Sequence, residues 1–322
     1  MTQKHAPDTQ HAMLGIPAAR FLSDYWQQQP VVLHTPLEQS DNPLSANELA
    51  GLALEEDVEA RLITQQQNAD WQLRHSPFTE ADFLSTPERD WTLLVQAVDI
   101  WVPAVADLKQ RFDFLPAWRL DDIMVSYAAP GGSVGPHFDH YDVFLLQLEG
   151  QRRWQLGAPC PADEPLRDDS DLRLLANFDP VEEHLLGPGD MLYLPPRIPH
   201  WGIATEACMT YSIGFRAPTL VEMLDDLIID LIGAEHDPHY QDPPLREDMS
   251  GVDIDPAFVV QARALLRDIL DDEERLGEWF ARYMTAPKYP NLVTESGEVR
   301  VARWRNTTYV NGNAEGKPSD LD

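Results

Sequence analysis

Gly135-Pro-His-Phe-Asp139, answered downstream by Pro195-Pro-Arg-Ile-Pro-His200, is the pair of segments on which the reading of this chain turns. On an extended strand alternate side chains share a face, so His137 and Asp139 are expected to point the same way. His200, presented by a stiff proline-rich segment, then completes a triangle of two imidazoles and one carboxylate. That donor set suits one face of Fe(II) and leaves positions open for a co-substrate and dioxygen. A closed structural zinc site needs a fourth protein ligand, and neither Cys160 nor Cys208 stands near these residues in sequence. The tripeptide pattern alone is weak, because His140-Tyr-Asp142 is a second, overlapping match. For any single histidine the bland reading is an ordinary hydrogen-bonded imidazole. Setting separates the two matches. Pro130-Gly-Gly-Ser-Val-Gly-Pro136 precedes His137 and permits close backbone approach, and His140 has nothing comparable.

The second segment is framed on its upstream side. Gly187-Pro-Gly-Asp190 reads as a tight turn and Met191-Leu-Tyr-Leu194 as a short buried strand. Between the two segments, Tyr141 to Leu148 reads as a strand, Glu149-Gly150 as a turn and Gln151 to Leu156 as the returning strand. Arg152 falls where a guanidinium would reach the distal carboxylate of a metal-chelating 2-oxo acid and hold it with two parallel hydrogen bonds. Arg153, on the opposite face, is expected to meet solvent.

With these residues in place, the chain resembles the JmjC-domain 2-oxoglutarate oxygenases of the cupin superfamily. Within them it is similar to the bacterial ribosomal oxygenases that hydroxylate an arginine of the sixteenth large-subunit ribosomal protein. The resemblance runs through Phe21 to Trp26, Pro30 to Leu33, Trp91 to Ala97, Trp118 to Ser126, Pro130 to Phe144, Gly150 to Trp154, Pro188 to His200 and Tyr211 to Pro218. It implies a double-stranded β-helix (the JmjC/cupin barrel) in a mixed α and β chain, with N-terminal helices and strands. It also implies that His137, Asp139 and His200 bind Fe(II), that Arg152 anchors 2-oxoglutarate, and that dioxygen is the oxidant. Asp122, Met124, Tyr141 and Ser212 fall on positions that such enzymes use to hold the substrate arginine. Arg197 stands where many cupins have glycine.

Composition agrees without deciding. A chain of 322 residues with 43% apolar content suits one sizeable core plus an appended region. No apolar run is long enough to span a bilayer. The polar Met1 to Gln10 lacks a secretory signal's apolar core, so a cytoplasmic location is expected. Two isolated cysteines read as free thiols. A formal net charge of −30 argues against direct nucleic-acid binding and suits a basic partner such as a ribosomal protein, although solubility or salt adaptation would produce the same excess.

Four segments follow: a flexible N-terminus at 1–19, a JmjC catalytic domain at 20–217, a helical dimerisation region at 218–285, and a short or truncated winged-helix-like region at 286–322. Ser45-Ala-Asn-Glu48 reads as a capping box opening a helix. Acidic Cys160 to Asp179 is expected to be a loop over the site's rim. Leu220, Met223, Leu224, Leu227, Ile228 and Leu231 form one apolar stripe at helical spacing, and Phe258 to Leu270 carry another behind an Asp255-Pro256 cap. By the resemblance these helices join a homodimer, and Gly297 to Val310 reads as a hairpin.

The expected activity is Fe(II)- and 2-oxoglutarate-dependent hydroxylation of a protein, at C3 of an arginine side chain. A JmjC demethylase would use the same metal site and differ in product mass. A catalytically silent cupin that binds a basic partner is the non-enzymatic rival, and an intact triad with Arg152 weighs against it.

Overall fold

The computed structural model describes residues 11–66, 70–233, 238–249, 251–292 and 299–315. Met1 to Gln10, and the first residues of the expected hairpin up to Glu298, lie outside them. The chain forms two compact units, Met1–Ala217 and Pro218–Asp322.

In the first unit the strands are β1 (Val31–His34), β2 (Ala60–Gln66), β3 (Asp70–His75), β4 (Trp91–Val95), β5 (Leu120–Ala128), β6 (Val143–Glu149), β7 (Arg152–Gly157), β8 (Pro180–Leu186), β9 (Asp190–Leu194), β10 (His200–Ala204) and β11 (Cys208–Phe215). The helices are α1 (Ala18–Asp24), α2 (Ala46–Leu52), α3 (Glu80–Leu84), α4 (Val98–Trp101) and α5 (Pro103–Lys109). Eight strands make one sheet in the order β1-β9-β6-β11-β5-β4-β2-β3, and three make a second in the order β10-β7-β8. All pairings are antiparallel.

The large sheet is covered on both faces, which is why Val143-Phe-Leu-Leu-Gln-Leu148 is buried throughout instead of alternating with polar residues. Phe144, Leu146, Ile123, Val125, Tyr193, Tyr211 and Ile213 pack on one side with Phe21, Leu49, Val105 and Phe112. On the other side Val143, Leu145, Leu192 and Leu194 meet Trp154, Leu156 and Leu186 of the small sheet. Two facing sheets with helices over the outer face form the JmjC/cupin barrel. Ser45 opens α2 as its sequence indicates: its hydroxyl accepts from the Glu48 N–H, and the Glu48 carboxylate accepts from the Ser45 N–H at 2.8 Å.

Three sequence expectations need correction. First, β6 and β7 do not form a hairpin. Both edges of β6 are taken by β9 and β11, so after the turn at Gly150 the chain crosses to the small sheet. Second, His137 and Asp139 are not in a continuous strand. His137 pairs only through an isolated bridge to His200. Third, residues 11–19 are tied down: Met13 and Leu14 are buried, and His11 packs edge-on against Phe114.

The competing Asp142 is a structural carboxylate. It is fully buried, accepts the Tyr193 hydroxyl at 2.6 Å and the Gln27 side-chain amide at 3.0 Å, and lies 3.5 Å from the Arg119 guanidinium. His140 is exposed.

The second unit holds α6 (Leu220–Gly233), α7 (Pro256–Asp271) and α8 (Glu273–Thr285), then β12 (Val301–Trp304), β13 (Thr307–Val310) and β14 (Asn313–Ala314). Asp255 caps α7 by accepting from the Ala257 N–H at 2.8 Å. The final strands form an antiparallel sheet, with a short third strand beyond the expected hairpin. No helix among the described residues is long and apolar enough to cross a membrane.

Asp142→Ala strands Arg119, Gln27 and the Tyr193 hydroxyl, and is expected to cost about 3 kcal/mol. Denaturant unfolding followed by tryptophan fluorescence reads this, and metal binding under native conditions should persist. Unchanged stability would mean that Asp142 does not brace the barrel.

Candidate metal centre

The backbones of His137 and His200 bond each other reciprocally, N to O at 3.1 Å and 2.8 Å. This bridge ties the glycine-rich segment to the start of β10. Gly135, at φ +80°, turns the chain into it with Leu174 packed so close that a side chain there would collide. Each ring Nδ1 lies 2.9 Å from the carbonyl two residues upstream, Gly135 for His137 and Ile198 for His200. A carbonyl only accepts, so each Nδ1 carries a proton and Nε2 is the nitrogen left for a metal.

The ring centroids stand 4.3 Å apart, and one ligand atom from each of His137, Asp139 and His200 lies within 4.8 Å of the other two. His200 Nε2 and Asp139 Oδ2 are 3.7 Å apart, too far for a hydrogen bond. They are spaced as two donors to one ion. Burial, then the neighbouring His137, pushes the His200 pKa down to about 4, so its imidazole is neutral at ordinary pH. The residues fit a divalent transition metal held on one face.

Arg152 is almost fully buried, inside the barrel. One terminal nitrogen lies 3.3 Å from the Ser126 hydroxyl and 3.4 Å from that of Thr210, and the other lies 3.5 Å from the Gly202 carbonyl. Its Nε has no partner, and among the described residues no carboxylate pairs with it. Burial holds its pKa below the ordinary guanidinium value. The guanidinium also lies over the Trp154 ring at 5.0 Å, and that ring lies 5.8 Å from His200. Gly202 makes this possible, since a Cβ there would overlap Trp154 and Arg152. A buried cation without a counter-charge is a site for an anion. Arg153 is half-buried, not simply solvent-facing.

The four residues matched to the substrate position come together. Met124 and Ser212 are register partners on β5 and β11. Asp122 is buried and accepts the Gln96 amide at 2.8 Å. Tyr141 is 41% exposed, yet its hydroxyl donates to Asp139. Burial first, then the Asp139 and Asp122 charges, push its pKa up. Met124 packs with Ile63, Trp71, Leu94 and Leu174, so the acidic 160–179 loop contributes apolar contact beside it. Leu175 fixes that loop by donating its N–H to the Pro136 carbonyl at 2.9 Å. Asp121 points elsewhere and pairs with Arg216 at 3.3 Å.

Comparison with known proteins agrees. A family model for the JmjC domain matches residues 107–223. The ribosomal protein uL16 3-hydroxylase of Escherichia coli is 35% identical over 91% of this chain and 83% of its own. The chain belongs to the JmjC-domain ribosomal oxygenases. A probable ribosomal oxygenase of Haemophilus influenzae is 41% identical over 64% of this chain and 51% of its own length. The structure of Escherichia coli YcfD, a ribosomal oxygenase in complex with cobalt and 2-oxoglutarate, superposes with a TM-score of 0.80 at 33% identity. That match covers 95% of this chain and 87% of that one.

Sequence reading missed several residues around this oxygenase site. Ser126 was findable, since it lies two residues beyond Met124 on β5 and so shares its face. Thr210 stands in the same relation to Ser212 on β11. Arg61 and Gln96, from β2 and the end of β4, carry no local signal.

Arg197 has φ +66°, the left-handed region that many cupins fill with glycine, and its N–H donates to the Asp139 carbonyl at 2.7 Å. Arg197→Gly relieves that strain and keeps the bond. After glycine's greater unfolded-state entropy is subtracted, a gain of about 0.5 to 1 kcal/mol remains, read as a rise in melting temperature with metal affinity unchanged. A lowered melting temperature would mean the Arg197 side chain holds the loop.

Proposed function

We propose that this chain is an Fe(II)- and 2-oxoglutarate-dependent protein hydroxylase, acting at C3 of an arginine side chain in ribosomal protein uL16. The observation that carries the reading is the pairing of an open three-donor face with the uncompensated Arg152. Gly202, whose carbonyl Arg152 faces, is two residues along β10 from His200, about 7 Å of extended strand. A five-carbon dicarboxylate bridges a distance of that order. The likeness to the uL16 3-hydroxylase supports the substrate, as does a net charge of −30 towards a basic protein.

In this reading His137, Asp139 and His200 hold the metal, and Arg152 holds the 5-carboxylate of 2-oxoglutarate by a charge-assisted contact in a site closed to water. When bound, iron with 2-oxoglutarate and dioxygen supplies the oxidising chemistry: 2-oxoglutarate is split to succinate and carbon dioxide, one oxygen atom entering succinate and the other a C–H bond of the substrate. The chain's own task is positional. Carbonyl partners fix Nδ1 of both imidazoles as donors, Tyr141 also orients the Asp139 carboxylate, and Asp122, Met124, Tyr141 and Ser212 receive the substrate side chain. A cytoplasmic setting belongs to this proposal.

Mass spectrometry of a basic uL16 peptide, incubated with enzyme, Fe(II), ascorbate and 2-oxoglutarate, is expected to show one added oxygen on arginine. Loss of a methyl group from a methylated peptide, with no added oxygen on arginine, would favour a demethylase instead. His137→Ala, Asp139→Ala and His200→Ala should each abolish turnover. Arg152→Ala should raise the 2-oxoglutarate requirement by roughly tenfold or more. An unchanged requirement would assign the anchor elsewhere.

The reading includes a homodimer joined through residues 218–285. Leu220, Leu224 and Ile228 on α6 are 66%, 41% and 54% exposed in the single chain, and α7 has no buried residue. A large exposed apolar stripe favours a covering partner. Leu224→Asp combined with Ile228→Asp should convert a dimer to a monomer in light scattering. A persisting dimer would put the interface elsewhere.

A further inference from the structure

Asp122 on β5, Gln96 just beyond the end of β4 and Arg61 on β2 form a chain of hydrogen bonds across neighbouring parts of the large sheet. The Gln96 amide donates from Nε2 to Asp122 Oδ2 at 2.8 Å and accepts at Oε1 from the Arg61 guanidinium at 3.3 Å. The same Arg61 nitrogen lies 3.5 Å from Met124 Sδ. We propose that Arg61 and Gln96 are positioning residues that set the Asp122 carboxylate for a guanidinium, making the pocket selective for arginine over lysine; this rests on the reading of the chain as an arginine hydroxylase.

The argument begins with donor and acceptor inventories. A guanidinium only donates and an ionised carboxylate only accepts. A glutamine between them therefore has one satisfactory orientation, oxygen to Arg61 and NH2 to Asp122. Without Arg61 the amide is free to turn its oxygen on Asp122, where two acceptors repel. Asp122 is 6% exposed, so protein groups and not bulk water decide the plane of its carboxylate. That plane matters for one class of ligand. A planar guanidinium donates two parallel bonds only when the carboxylate is aligned with it, whereas a compact ammonium accepts a wide range of angles. Arg61 also lies against Met124, in register with Ser212, and it electrostatically opposes the two acids that act on Tyr141. The relay thus touches Asp122 and Met124, two of the residues matched to the substrate position, and Met124 is in register with a third, Ser212.

The test uses the full-length enzyme with Fe(II), ascorbate and 2-oxoglutarate. The ligands are a uL16 peptide carrying the target arginine and the same peptide with lysine there, used as a competitor. Gln96→Leu is expected to raise KM for the arginine peptide about tenfold, with kcat within about threefold of the parent. Peptide-independent 2-oxoglutarate consumption and its KM should not move, and the lysine peptide's inhibition constant should change far less than the arginine KM. Arg61→Met should act in the same direction, and Arg61→Lys, which still donates to Gln96, should recover most of the loss. These outcomes together support the relay. Parent-like KM and selectivity in both Gln96→Leu and Arg61→Met would overturn it, as would an equal loss for both peptides. If the parent consumes 2-oxoglutarate but leaves the arginine peptide unmodified, the substrate reading itself fails and the relay falls with it. A Gln96→Leu protein that does not fold leaves the decision to the Arg61 pair, whose side chain is partly exposed.

Discussion

A guanidinium sealed inside a β-barrel is the constraint around which this fold is arranged. Among the described residues Arg152 has no acid to neutralise it, and a buried, unpaired charge is among the costliest groups a protein holds. The barrel interior answers with dipoles. Ser126 and Thr210 turn hydroxyl oxygens towards it, Gly202 a carbonyl, and Trp154 the face of its ring. Thr210 is in turn oriented by Gln147, donating to its Oε1 at 2.8 Å, while Gln147 donates to the Met209 carbonyl at 3.2 Å. These contacts are long or neutral, and they lessen the cost without removing it. The proposed anion would offset the remainder.

That arrangement depends on the crossing from the large sheet to the small one. Were β6 and β7 a hairpin, Arg152 would stand in the same sheet as Ser126 and Thr210 instead of facing them. The crossing puts the arginine on one wall and the hydroxyls on the other. It also sets β10 beside β7 in a register that pairs His200 with Leu156 and Gly202 with Trp154. Arg152 and His200 thus share one short ribbon, so their separation follows from strand geometry, while His137 joins it only through its bridge to His200.

The sequence made much of this legible, for reasons that are local. Two residues apart on extended chain share a side whether or not the segment has ladder partners, so His137 and Asp139 were readable even though their segment forms only a bridge. Proline stiffness announced His200, and the capping box at Ser45 was complete within four residues. What was not legible depends on tertiary partners. Setting favoured Asp139 over Asp142, but what Asp142 does instead rests on Tyr193, Gln27 and Arg119, all distant in sequence. The edge occupancy of β6 decides that no hairpin forms, and it too depends on strands β9 and β11. Arg61 and Gln96 drew no site reading from the sequence because their meaning lies in an acid 61 and 26 positions further on, respectively.

The two acids three residues apart show how one chemistry serves two ends. Each carboxylate accepts a tyrosine hydroxyl, Tyr141 on Asp139 and Tyr193 on Asp142. Around Asp142 both oxygens are used, one by Tyr193 and the other by Gln27 with Arg119 nearby, and the residue is closed from solvent. A carboxylate so saturated is rigid and has little left to offer a cation. Asp139 is only partly buried and lies close to two imidazoles whose lone pairs face the same point. Its tyrosine fixes the carboxylate's direction while leaving coordination capacity. The difference between a scaffold acid and a ligand acid here is therefore the number of oxygen lone pairs the protein consumes. Backbone spacing offers both residues to the site, and hydrogen-bond saturation withdraws one of them.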